Sequence, residues 1–127
     1  MYIQAKVKGD SMRPLFNTDS LVQFAFCPID LLRRGDVVVF KEGQSLVCHR
    51  FFSKVRLNES LFLKVKGDAA LSFDPLVDSG CFLGKVVYLR KFGISLRLDN
   101  LPARMLGLFF SRVAYYYLRL FDKLILR

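Results

Sequence analysis

Cysteine is scarce and poorly spaced for cross-linking. Cys27, Cys48 and Cys81 are odd in number, far apart and without a CxxC pair, which argues against both a disulfide framework and a zinc site. They read as reduced core residues, and no metal or cofactor is expected. Long apolar runs are missing too. No stretch reaches the roughly 18 uncharged apolar residues of a spanning helix, so no clear transmembrane helix is expected. The first ten residues are polar and alternating where a cleavable signal sequence would carry an apolar segment. Repeats and low-complexity tracts are absent. Histidine occurs once, at His49, so any imidazole chemistry must run through that side chain. Cys48 adjoins it, but neighbours on a strand point to opposite faces, which disfavours a Cys-His pair.

What is present is apolar and basic. The 127 residues suit a single domain, and 53% of them are hydrophobic, 13 being Phe, enough for a core with a surplus left for a surface. Lys and Arg number 20 against 11 Asp and Glu, a net charge of +9. Such an excess favours a polyanionic partner, either nucleic acid or an anionic membrane surface. Basic residues are not interleaved with aromatics on a sheet face, and no helix-turn-helix precedes residue 8, so no nucleic acid is expected.

Periodicity gives a mainly β protein. Residues 2–8 alternate apolar and polar and run into Gly9-Asp10-Ser11-Met12, which places Ser11 just past a strand end. Residues 20–26, 37–40, 45–52, 60–66 and 84–90 read as further strands. Lys41-Glu42-Gly43-Gln44 is a hairpin-like connection that pairs the strand of His49 with Val37 to Phe40. Residues 67–75 form a loop broken by Gly67 and Asp74-Pro75. Short strands with turns every ten or so residues predict a small barrel or sandwich over residues 1–98.

From Pro102 the period changes to that of a helix, and residues 101–127 are expected to form a basic amphipathic C-terminal helix. Arg104, Arg112, Arg119, Asp122 and Lys123 fall in one sector, and the segment carries five basic residues and one acidic. Its broad apolar face suits an interfacial membrane anchor. Packing on the β domain or on a second copy is the other open reading.

Three segments combine into a chemical pattern: Gly9-Asp10-Ser11-Met12-Arg13-Pro14; Arg34-Gly35-Asp36-Val37-Val38-Val39-Phe40 followed by Val47-Cys48-His49-Arg50; and Lys66-Gly67-Asp68 with Asp74 six residues on. Their order and spacing resemble the type I signal peptidase family and the related self-cleaving repressor peptidases, over residues 8 to 89. The resemblance implies a signal-peptidase-like β fold. It also implies Ser11 as nucleophile in a Ser-Met-x-Pro segment, and His49 in the slot that a lysine fills in the bacterial branch. That substitution points to the histidine branch of endoplasmic-reticulum and archaeal signal peptidases, where Asp68 and Asp74 match two further aspartates. One of them orients the base while the other is structural, and Asp74 is taken as the orienting one.

The residue types suit that chemistry independently. A serine hydroxyl needs a base within hydrogen-bond reach, and histidine titrates near neutral pH. An aspartate on the far ring nitrogen would fix the tautomer and stabilise the imidazolium. The Ser11 N–H and the Gly9-Asp10 turn are candidates for the oxyanion site, with Gly9, Asp10 and Met12 beside the substrate. The expected function is therefore a serine endopeptidase acting on a leader or signal peptide within a preprotein. The alternative is an inactive relative that binds peptides or membranes.

Each segment alone has a plain structural reading; their joint order and strand context carry the argument. Family members have a transmembrane helix before the nucleophile, whereas this chain starts almost at the motif, so the C-terminal helix is expected to supply membrane attachment. A cytoplasmic enzyme is the other expected location, and an oligomer stays possible. Ala69-Ala70 stand where the family is rich in asparagine, which removes polar groups from the site.

Overall fold

A computed structural model describes residues 2–6, 12, 20–70, 72–91, 93–109 and 111–113. The chain is mainly β, and its described residues form one antiparallel sheet of eight strands that does not close among them, with a C-terminal helix. The strands are β1 (Ile3–Lys6), β2 (Leu21–Ala25), β3 (Val37–Glu42), β4 (Ser45–Leu57), β5 (Ser60–Lys66), β6 (Val77–Asp78), β7 (Phe82–Lys91) and β8 (Ile94–Arg97). They lie in the order β1-β2-β7-β3-β4-β5-β6, with β8 on β7. The expected barrel or sandwich is thus realised, among the described residues, as an open sheet.

β3 is the centre of this arrangement. Val37, Val38, Val39 and Phe40 are all buried, because the strand is covered on both faces. Val37 and Val39 pack with Val22, Phe24, Val86, Leu89 and Met12. Val38 and Phe40 pack with Phe51, Leu63, Val65 and Val77 on the other side. A continuous β-branched run is what a strand buried on both faces requires.

The hairpin between β3 and β4 is tighter than the sequence suggested. Strand pairing continues to Glu42↔Ser45, leaving Gly43 and Gln44 as a two-residue turn with Gly43 at φ +61°. β4 also runs five residues past Phe52, to Leu57, because a second two-residue turn, Asn58-Glu59, folds it back on β5. Both turn residues have positive φ, as a mirror-image turn demands, but Glu at such a position is uncommon and left no signal in the sequence. The short strands β6 and β8 were likewise unexpected. β6 is two residues long, and every residue of β8 is exposed, so neither carries a clean hydrophobic pattern.

The helix, α1, spans residues 101–109 and 111–113. Asn100 caps it, its Oδ1 accepting the Ala103 N–H at 2.9 Å. Arg104 was expected to share one sector of the helix with Arg112, Arg119, Asp122 and Lys123, the last three of which lie outside the described residues. It is buried, with Nη1 donating to the Asp99 carbonyl at 2.6 Å and standing 3.9 Å from Asp36. The physical reason is the cluster of buried polar groups beneath α1, which turns the polar side of the helix inward. Gly107 and Ser111 face the same way. A Cβ at Gly107 would fall on the guanidinium of Arg50, and Ser111 accepts from Lys66. The apolar side is turned outward: Leu101, Met105, Leu106, Phe109 and Val113 are all exposed.

Candidate active site

Adjacent positions on β4 send their side chains to opposite faces, and here the neighbours are His49 and Arg50. Register pairs His49 with Val38 and Arg50 with Val37 and Lys66. His49 therefore lies on the Phe40 side, its ring 5.8 Å from that of Phe40 in an edge-on arrangement. Arg50 lies in the other core layer, 1% exposed.

One loop supplies an aspartate to each. Leaving β5, the chain turns at Gly67, whose carbonyl accepts the Ala70 N–H, and returns so that the Asp74 N–H donates to the Val65 carbonyl at 3.0 Å. That last bond holds Asp74 beside β5, and its Oδ2 lies 2.5 Å from Nδ1 of His49. With Nδ1 donating, Nε2 is the acceptor nitrogen of the neutral ring. His49 is 9% exposed, and the side chain of Asp74 is 19% exposed, so the pair is shielded yet at the protein's edge.

Asp68 serves the opposite face. Its two oxygens accept from Nε and Nη2 of Arg50 at 3.0 and 2.5 Å, while Nη1 of Arg50 donates to the Gly35 carbonyl at 2.9 Å. This fork-to-fork pair is fully buried and satisfies most of what both charges require. Of the two aspartates considered as partners of His49, then, Asp74 is in contact with it and Asp68 is committed to Arg50.

Met12 is 2% exposed and packs with Val37 and Val39. Its sulfur accepts the Asp68 N–H at 3.3 Å. The residue bonded to Ser11 is therefore a core anchor against the 67–74 loop, not a side chain open to substrate. Ser11, Gly9 and Asp10 lie outside the described residues.

Several buried groups around the site gave little warning in the sequence. Asp36 accepts the Arg33 N–H at 2.8 Å through Oδ2, while among the described residues Oδ1 finds no hydrogen-bond donor. Burial raises its pKa against the opposing pull of the Arg33 N–H, Lys85 and Arg104. Lys66 is 3% exposed and donates to the Gly67 carbonyl and to both the carbonyl and hydroxyl oxygens of Ser111, the last at 2.9 Å. Burial lowers its pKa, partly offset by Asp68. Cys48 is pushed up to about 12 by burial, which makes it an inert thiol, in keeping with its position on the face opposite His49. The described residues hold no group of three or more potential metal ligands.

A scan against protein-family models, a search of curated proteins and a search of solved structures each find no match to this chain.

Proposed function

We propose that the protein is a serine endopeptidase that cuts a leader or signal peptide, with Ser11 as nucleophile, His49 as general base and Asp74 as the group that orients it. The observation that carries this reading is the 2.5 Å contact between Asp74 Oδ2 and His49 Nδ1. A shielded carboxylate on Nδ1 leaves Nε2 as the basic nitrogen and stabilises the imidazolium that forms when it takes a proton.

In the proposed reaction His49 takes the Ser11 proton as the hydroxyl oxygen attacks the scissile carbonyl. The tetrahedral intermediate collapses with transfer of that proton to the leaving amine, giving an acyl-enzyme. Water, deprotonated by His49, then attacks the ester and releases the acid and the free serine. Backbone N–H groups of Gly9, Asp10 and Ser11 are assigned to the oxyanion.

The reading extends to a membrane surface. No helix among the described residues is long and apolar enough to cross a membrane. The outward apolar side of α1 and the net charge of +9 suit shallow binding to anionic lipid. Mass spectrometry of a library of leader-like peptides, treated with wild type and with Ser11→Ala in the presence and absence of vesicles, tests the proposal. It expects defined cuts that vanish in Ser11→Ala. Cuts that survive that substitution would refute the assignment. No cutting under any condition would favour the inactive peptide- or membrane-binding relative.

A further inference from the structure

Between α1 and the β4–β5 hairpin lies a cavity of about 560 Å³, within the range of small-ligand sites. Its walls are mostly apolar: Phe52, Phe73, Met105, Leu108 and Phe109. The two phenylalanines stand edge to face at 5.0 Å. The remaining lining is Ser111 and three cations, Arg34, Lys66 and Arg112, with no carboxylate among the described lining residues.

Cations and apolar walls are interleaved. The Arg34 guanidinium lies over the Phe52 ring at 5.8 Å, and Lys64 holds its amine 4.2 Å from the centre of the Phe73 ring. Lys66 is buried, its three hydrogens directed at Gly67 and Ser111, so it contributes field more than a free donor. The arginines, by contrast, are exposed and can offer planar forks to a carboxylate. Neither His49 nor Asp74 is among the described lining residues of this cavity.

We infer that the cavity is a binding site for a single-chain fatty acid, its carboxylate held by Arg34 and Arg112 in the field of Lys66 and its chain on the phenylalanine, methionine and leucine walls. Charge complementarity selects the occupant. A neutral lipid would leave the cations unmatched, and a small inorganic anion would leave the apolar walls empty.

Calorimetric titration of the full chain with laurate below its micellar concentration, dodecanol below its solubility limit, and acetate tests the inference. Expected is saturable one-to-one binding of laurate, with dodecanol weaker by about tenfold and acetate undetected. Arg34→Gln combined with Arg112→Gln changes only exposed side chains and should weaken laurate by about tenfold or more while leaving dodecanol unaffected. Ser11→Ala should leave laurate binding unchanged, which separates this site from the proposed peptidase. Equal affinity for laurate and dodecanol, laurate binding indifferent to the double substitution, or no saturable binding would each overturn the inference.

Discussion

At the scale of single residues, the arrangement turns on two aspartates six positions apart that do different jobs. Asp68 closes a buried ion pair, so Asp68→Asn leaves the Arg50 guanidinium without its counter-charge in the interior. Breaking a pair of this kind costs about 3–5 kcal/mol, a loss that denaturant unfolding of the variant should read directly. Asp74→Asn, at a shielded but peripheral position, should cost far less stability. It should instead remove the proton bridge to His49. Since the chain has one histidine, proton NMR can follow that bridge without ambiguity. A far-downfield ring N–H signal is expected in wild type and in any folded Asp68 variant, and is expected to disappear in Asp74→Asn.

Asp36 makes a third case at this scale. Its folded pKa lies above the ordinary value of 3.8, so the native state holds the proton to higher pH than the unfolded chain does. The stability contributed by the protonated form is complete below the unfolded pKa and is lost as pH rises through the folded one. Asn cannot titrate but keeps an oxygen for the Arg33 N–H. The thermal stability of Asp36→Asn relative to wild type is therefore expected to improve steadily as pH is raised from about 3.8 toward neutrality. A constant difference across that range would show that Asp36 does not carry the effect.

At the scale of elements, α1 reverses the usual rule for a surface helix. Its inward side docks through Arg104, Gly107 and Ser111, and its outward side is apolar. Gly107 is the position where docking is most constrained, because the Arg50 guanidinium beneath it is pinned by Asp68 and the Gly35 carbonyl and cannot step aside. Gly107→Ala improves helix propensity yet is expected to destabilise by about 1–3 kcal/mol through overpacking; chemical denaturation gives the sign. The outward side makes a separate prediction. Leu101→Gln with Leu106→Gln touches neither that docking nor the cavity, and should reduce sedimentation with anionic vesicles while leaving the folded structure intact by circular dichroism.

The legibility of the sequence divided along the same lines. β3 was readable because four consecutive β-branched or aromatic residues have no other stable home than a doubly covered strand. β2 and β5 were readable from their strand-forming apolar composition between turns. β8 was not, since its residues are exposed and its register is imposed by β7. The turn at Asn58-Glu59 uses a residue type that does not advertise positive φ. The burial of Arg104 was not legible because helical periodicity reveals which residues share a side but not which side faces inward. That depends on Asp36 and the Asp99 carbonyl, brought there by the sheet. Around the candidate site, His49, Asp68 and Asp74 were named through the resemblance to the signal peptidases. Their division of labour needed the alternation of β4, which sends His49 and Arg50 apart.

At the scale of the whole molecule, the sheet works as a partition. One face carries the His49–Asp74 pair. The other carries Arg50, Asp68 and Met12, with α1 docked over Arg50 and Lys66. The 67–74 loop joins the two, so a change in how α1 is seated has a short covalent path to Asp74. The proposed peptidase rests on residues apart from the apolar side of α1 and the fatty-acid cavity, which share Met105 and Phe109, and the variants chosen for each test do not overlap. The central claim is that His49 and Asp74 activate Ser11. The most direct measurement is kcat/KM for one cleaved leader peptide in wild type, Ser11→Ala and Asp74→Asn, each verified as folded. The account predicts no cleavage in Ser11→Ala and a loss of roughly 10³–10⁴-fold in Asp74→Asn. Undiminished cleavage by either variant would contradict it.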